Sequence, residues 1–113
     1  MYYKAFFVVC AFILADFASG LGVALYLGKF SSKVMREGLV HKVTELAIIG
    51  LAYGVEIGLP FIGVEASVTL VLPIAAYIVV MEIGSIIENL VKLNPDMKKV
   101  ADKFLKDYEK EGR

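Results

Sequence analysis

Long apolar segments with almost no charge constrain this chain more than any other feature. Residues 5–28 contain a single charged residue, Asp16, and residues 66–81 contain none, whereas residues 92–113 contain twelve. A helix needs about 20 mainly apolar residues to cross a membrane. The 113-residue chain, 58% hydrophobic, has room for three such helices. We therefore predict an all-α integral membrane protein with three transmembrane helices and a C-terminal amphipathic helix in the cytoplasm.

The predicted spans form one membrane domain over residues 1–113, and they differ in polarity. Residues 31–42 are polar and basic, and they are expected to lie outside the lipid apart from an interfacial helical turn. The second span is the least hydrophobic and is expected to be sheltered by protein. Pro73 is expected to kink the third span. The spans cover about residues 5–27, 43–59 and 66–90, and the charged tail covers residues 94–113.

The tail begins with a helix-start signal. Asn94 suits the N-cap position, Pro95 the first helical position and Asp96 the first turn. Apolar residues then recur at helical spacing, with charges on the other face. Such a face can pack against another helix or lie on a membrane surface. The predicted apolar face consists of Met97, Val100, Phe104, Leu105 and Tyr108.

The basic residues predict the orientation in the membrane. Lys29, Lys33, Arg36 and Lys42 fall between the first two spans and the tail is rich in lysine, whereas the turn at residues 60–66 has no base. Basic loops favour the cytoplasmic side. We therefore expect the N-terminus outside and the C-terminus in the cytoplasm. The first apolar run continues past small residues that resemble a signal-peptide cleavage site, which favours a retained helix.

Several polar residues fall inside the predicted spans, where burying a charge is costly. Asp16 is either a pore-lining, proton-carrying or assembly-controlling group, or a protonated carboxyl hydrogen-bonded to a neighbouring helix. A single protomer is not expected to shield Asp16, Glu56 and Glu82 completely. The candidate pore-lining residues are Asp16, Ser19, Glu56, Glu82, Ser85, Glu88 and Asn89.

The polar stripe at the end of the third span has two interpretations. Glu82, Ser85 and Asn89 follow at i, i+3 and i+7 and so share one helix face. The stripe either lines an aqueous path or forms the cytoplasmic end of the span. In the second case its glutamates reach water or meet Lys29, Lys33 or Lys42.

Small residues recur every four positions in the first two spans. Such strips let helix backbones approach closely, which is how membrane helices associate in the absence of a hydrophobic drive. The strips predict packing among the three helices of one protomer, self-assembly between protomers, or both. Their members are Gly20, Ala24 and Gly28 in the first span and Gly50, Gly54 and Gly58 in the second.

Nothing in the sequence supports catalysis or cofactor binding. Cys10 is the only cysteine and His41 the only histidine, so no thiolate metal site or histidine-based relay is expected. No phosphate-binding or nucleotide-binding motif occurs, and no nucleic-acid partner is expected. The compatible classes are a lesion-forming membrane protein, a small proton-coupled transporter and a non-lytic membrane anchor or accessory subunit.

Four segments resemble the phage lysis holins, a family that includes the clostridial toxin-release holins. The strongest match is Glu-Ile-Gly-Ser-Ile-Ile-Glu-Asn at residues 82–89. Weaker matches are Ala-Asp-Phe-Ala-Ser-Gly at residues 15–20 and the polar segment leading to Gly-Leu-Val-His-Lys at residues 38–42. The charged tail after Asn94 also fits. His41 departs from the family pattern, in which a base such as arginine is more usual.

This resemblance implies a function. A protein of this kind accumulates in the bacterial cytoplasmic membrane, forms homo-oligomers and opens large non-selective lesions. A cytoplasmic endolysin passes through these lesions and lyses the host cell, or a large toxin leaves the cell through them. The resemblance implies no enzymatic activity and no stable contact with the released protein.

Overall fold

The computed structural model describes residues 2–65, 69–100, 102, 103 and 106, and these residues form helices and turns without a strand. Three helices are long and apolar enough to cross a membrane. The predicted all-α class with three membrane helices is therefore confirmed. In chain order the elements are α1 (Tyr2–Tyr26), α2 (Ser32–Tyr53), a π-helical turn (Gly54–Gly58), a 3-10 turn (Leu59–Ile62), α3 (Val71–Leu93) and a second 3-10 turn (Pro95–Met97).

A glycine and a serine build the connection between α1 and α2. Gly28 has a φ of 68°, a conformation in which glycine is not strained. Its amide donates to Leu25 and the next amide donates to Ala24, which closes α1 with a Schellman motif. The Ser31 hydroxyl accepts from the Val34 amide and caps α2. Gly28 thus belongs to the turn and not to the α1 packing strip in which its spacing placed it.

α2 begins well before the predicted second span. Residues 32–42, predicted to be polar loop with one helical turn, are helical throughout. Together with the π-helical and 3-10 turns, α2 forms a helical rod over Ser32–Ile62. Charge keeps a segment out of lipid, but Lys, Arg, Glu and Met are good helix formers. The added helix fixes Lys42 on the face that packs against the other two helices.

The connection from the rod to α3 combines a glycine turn with a carboxylate cap. Gly63 has a φ of 83° and ends the 3-10 turn, in keeping with the tight turn expected here. The Glu56 carboxylate accepts from the amides of Leu70 and Val71. It thereby satisfies donors that a helix start leaves without intrahelical partners.

α3 begins at Val71, later than the predicted start of the third span. Pro73 therefore lies in the first turn, where amides have no intrahelical acceptor, so its missing N–H costs no helical hydrogen bond. A proline kinks a helix only when the helix continues on both sides of it. Because α3 begins two residues before Pro73, the expected kink does not form.

α1 and α3 lie side by side and parallel, and α2 packs on them in the opposite direction. Ala5 and Ala75 border one groove near the N-terminal ends of α1 and α3, and Ser19 contacts Asn89 nearer their C-terminal ends. The apolar core lies between the three helices, towards the N-terminal ends of α1 and α3. It comprises Val9, Ile13, Ile49, Ala52, Val71, Ala75 and Ile78.

The tail begins as predicted. The Asn94 side chain accepts from the Asp96 amide, and Pro95 is the first residue of the second 3-10 turn. Met97 is half-buried and Val100 is exposed. The other residues of the predicted apolar face, Phe104, Leu105 and Tyr108, lie outside the described residues.

Candidate intramembrane polar site

Lys42 joins all three helices inside the bundle. Its Nζ atom donates to Oδ2 of Asp16 on α1 at 2.6 Å and to Oε2 of Glu82 on α3 at 3.0 Å. The Lys42 side chain is 14% exposed, and those of Asp16 and Glu82 are 10% and 5% exposed. One ammonium group on α2 is therefore the counter-ion for carboxylates on both other helices.

This three-way ion pair lies deep along the helices. Glu82 is the central residue of α3, and Asp16 lies two residues from the centre of α1, which is about 3 Å along the axis. An unpaired charge at the centre of a span costs about 2.5–3.5 kcal/mol on insertion scales. The contact with Lys42 offsets that cost at both carboxylates.

Asn89 and Ser19 complete the hydrogen bonding around Asp16. Nδ2 of Asn89 donates to Oδ1 of Asp16 at 3.1 Å and is also 2.9 Å from Oγ of Ser19. The Ser19 hydroxyl donates to the backbone carbonyl of Asp16 at 2.9 Å. Both carboxylate oxygens of Asp16 thus have a donor, and the side chain faces protein, as a carboxylate inside a span must.

Glu45 adds a further buried carboxyl to the cluster. It is 8% exposed and lies three residues after Lys42 on the inward face of α2. Its Oε1 atom accepts no hydrogen bond and lies 3.9 Å from Nδ1 of His41. Across the described part of the chain, no three His, Cys, Asp or Glu side chains are arranged to hold a metal ion.

A cavity of about 340 Å³ opens beside the cluster. Ala24 and Val34 also border it, so it lies towards the α1–α2 turn. One water molecule needs only about 10–15 Å³ of such space and a few polar partners, so the cavity has room for several. The polar residues that line it are Asp16, His41, Lys42, Ser85 and Asn89.

Apolar side chains close the other side of the cluster. Ile49 and Val9 have no exposed surface, and Ile13 and Ile78 are almost fully buried beside them. Packed apolar side chains of this kind exclude water. The ion pair therefore borders a hydratable cavity on one side and a dry core on the other.

The structure brings most of the predicted polar candidates together and separates two of them. Glu56 caps α3 instead, and Glu88 is exposed. Of the three carboxyls expected to be incompletely shielded in one protomer, Asp16 is 8% and Glu82 is 4% exposed, whereas Glu56 is half-buried. The candidates at the cluster or its cavity are Asp16, Ser19, Glu82, Ser85 and Asn89.

The sequence pattern contained a signal for the role of Lys42 that the loop assignment hid. Lys42, Glu45, Ile49 and Ala52 follow at i, i+3, i+7 and i+10, which is helical spacing. In the structure all four face inwards. Extending the helical pattern of the second span backwards would have placed Lys42 on the buried face.

The two small-residue strips differ in what they face. A Cβ atom at Gly20 would lie 3.7 Å from Nδ2 of Asn89, so this part of α1 packs within the protomer. A Cβ atom at Gly50, Gly54 or Gly58 would meet nothing within 4 Å. Gly50 and Gly54 are exposed, and packing within the protomer leaves the strip on the rod open.

The chain matches the model of the bacteriophage holin family over residues 2–110. Two relatives are uncharacterized proteins of Listeria monocytogenes (Lmo0128) and Listeria innocua (Lin0175). Each is 28% identical over 98 residues, which is 87% of this chain and 66% of the relative, so the chain spans just under two thirds of their length. No solved structure matches it significantly. Because the match extends over nearly all of these three membrane helices, the chain belongs to the bacteriophage holin family.

Proposed function

We propose that the protein is a holin that oligomerises in the bacterial cytoplasmic membrane and opens large non-selective lesions. The match to the holin family over residues 2–110 carries this proposal. The lesions release a cytoplasmic endolysin, which then lyses the host cell, or a large toxin. The released protein needs no stable contact with the holin.

The polar cluster supplies a physical route to a lesion. Lys42 holds Asp16 and Glu82 inside the protomer, where they stay paired and out of lipid. If α2 leaves the α1–α3 pair, these groups lose their partner and need water. Several protomers can form a ring and turn these faces towards its centre. Their short polar stripes then line one aqueous hole, which provides the water.

The open glycine strip is the proposed contact between protomers. Gly50 and Gly54 present backbone to the outside of the rod, and Leu51 and Ile48 beside them are exposed. Small residues flanked by apolar ones favour close helix–helix contact in lipid. A second copy of the same rod is thus the proposed occupant of this face.

The proposed orientation places the N-terminus outside and the C-terminus in the cytoplasm. The bases near the α1–α2 turn and in the tail support it by the positive-inside rule. The cavity beside Lys42 then opens towards the cytoplasm. Labelling of single cysteines at Lys29 and Glu65 in a Cys10→Ser background, with a reagent that does not cross membranes, tests this. Labelling of the Glu65 position alone in intact cells is expected.

Regulated expression in a bacterium tests the function. Membrane potential and the release of a co-expressed folded cytoplasmic protein of endolysin size are followed together. Abrupt depolarisation with protein release after a delay is the expected result. Depolarisation without protein release indicates a small ion channel, and neither signal despite membrane insertion indicates a transporter or an anchor. Both of these outcomes contradict the proposal.

A further inference from the structure

The first half of α2 runs antiparallel beside the second half of α1. Lys42 of α2 contacts Asp16 of α1 at one end of this contact. Towards the other end, Ala24 of α1 and Val34 of α2 border the same cavity. Each residue in the first half of α2 therefore lies at about the same depth in the membrane as a residue in the second half of α1.

These depths lie inside the hydrocarbon region of the bilayer. Lys4 and Lys29 bound the apolar part of α1, and Asp16 lies about 18–20 Å from each of them along the chain axis. Since the hydrocarbon core is about 30 Å thick, the level of the contact between Asp16 and Lys42 is close to its middle. Glu37 precedes Lys42 by about 8 Å along α2, so its backbone lies well inside the core.

At this shared depth the two helices present opposite surfaces to their surroundings. Ala18 and Leu25 of α1 are exposed, and so are Arg36 and Glu37 of α2. No ion pair among the described residues includes Arg36 or Glu37. His41, one turn after Glu37, has a side chain that is 71% exposed. Exposed charges within a span face water and not lipid, because an unpaired charge in hydrocarbon is costly.

We propose that Arg36, Glu37 and His41 form a charged face of α2 that lines the aqueous lumen of the assembled lesion, while α1 faces lipid. The lumen itself rests on the proposed function. The charged face lies outside the set of pore-lining candidates predicted from the sequence, most of which pack inside the protomer. It needs no separation of the helices to reach water, unlike the cluster around Lys42. Arg36 and Glu37 have opposite charges, which suits a lesion that does not select by charge.

Spin labels in the full-length protein test the surroundings of the charged face. Glu37→Cys, Ala18→Cys and Leu25→Cys, each in a Cys10→Ser background, are labelled and reconstituted into phospholipid vesicles at a high protein-to-lipid ratio. Oxygen collides mainly with labels in hydrocarbon, and a water-soluble nickel chelate collides with labels in water. We expect the ratio of chelate to oxygen collisions to be several-fold higher at position 37 than at positions 18 and 25, whose depths bracket it.

Two results of the labelling overturn the proposal. A label at position 37 that meets oxygen as often as the two α1 labels shows that the charged face lies against lipid. Access of the nickel chelate to all three labels shows that this whole part of the bundle lies outside the membrane. Circular dichroism confirms that each labelled variant is folded.

A pair of double variants tests whether the charged face serves the lesion. Arg36→Leu/Glu37→Leu is expected to lower release of the co-expressed cytoplasmic protein several-fold, because the lumen loses its solvated groups. Arg36→Gln/Glu37→Gln removes the same charges but stays polar, and it is expected to keep most of the release. Membrane fractionation confirms equal insertion of both, and equal release from both overturns the lining role. The labelling needs no lysis, so failure of the proposed function and failure of this proposal are distinguishable.

Discussion

At the scale of single residues, the site depends on one cation that serves two anions. Lys42 contacts Asp16 at 2.6 Å and Glu82 at 3.0 Å, and Asn89 supplies the remaining donor to Asp16. A buried ion pair adds little net stability, but removal of one partner leaves a buried charge uncompensated. Replacement of Lys42 therefore removes a contact that joins all three helices.

Replacement of Lys42 by methionine keeps the length of the side chain and removes its charge. The free energy of unfolding is expected to fall by about 3–5 kcal/mol, because two buried carboxylates lose their counter-ion. Thermal unfolding in detergent, followed by circular dichroism, measures the change. Lys33→Met, at an exposed position of the same helix, is the control and is expected to change stability by less than about 0.5 kcal/mol.

Neutralising the whole three-way pair tests whether the loss comes from charge. The variant Asp16→Asn/Lys42→Met/Glu82→Gln has no unpaired charge at these positions and is expected to be more stable than Lys42→Met alone, since neutral replacement of a buried ion pair is often tolerated. The same unfolding measurement compares the two. A triple variant no more stable than Lys42→Met would show that the ammonium acts through packing and not through charge.

At the scale of elements, Glu56 connects the end of one helix to the start of another. It lies in the π-helical turn of the rod, and its carboxylate bonds to the amides of Leu70 and Val71 at the start of α3. Acceptors at a helix start contribute about 1 kcal/mol. Glu56 thereby fixes where α3 begins, and with it the register of Glu82 against Lys42.

Glu56→Ala is expected to loosen the first turn of α3, because the amides of Leu70 and Val71 lose their acceptor. Hydrogen–deuterium exchange at these amides should accelerate about fivefold, which corresponds to about 1 kcal/mol. Glu56→Gln keeps an acceptor and is expected to exchange nearly as slowly as the native protein. Glu65→Ala, at an exposed position of the same connection, serves as the control. Equal exchange in Glu56→Ala and the native protein would contradict the capping role.

At the scale of the whole molecule, the protomer pairs Asp16 and Glu82 with Lys42 internally and leaves one glycine face open. The α1 strip packs against α3 through Gly20, whereas a Cβ atom added at Gly50 or Gly54 on the rod would meet nothing within 4 Å. An arrangement of this kind suits a protein that is inserted as a protomer and then assembles. The glycine face and the polar cluster lie on different sides of the rod, so assembly and cluster can be altered separately.

Gly54→Leu is expected to abolish lesion formation while leaving membrane insertion intact. The added side chain has open space within the protomer, but it prevents close approach of a second rod. Release of the co-expressed cytoplasmic protein and membrane fractionation measure the two effects. Ala18→Leu, at an exposed position of α1, is the control and is expected to trigger at the native time. Unchanged timing in Gly54→Leu would exclude this face from assembly.

Composition and charge spacing were enough to predict three membrane helices, because a span needs a fixed length of apolar sequence and the charges here are segregated. They also located the tail start at Asn94 and the polar residues Asp16, Glu82, Ser85 and Asn89, since an intramembrane polar residue stands out against its neighbours. The placement of residues 31–42 and of Pro73 depended on helix ends, which local composition fixes poorly.

The tertiary structure alone decided which polar groups meet. Lys42 reaches Asp16 and Glu82 only because α2 begins early and runs against two parallel helices. The separation of Glu56 from this cluster likewise depends on its contact with the start of α3, which lies further along the chain. A sequence determines which residues need a partner when lipid replaces water, and only the packing of the helices determines which partner each one has.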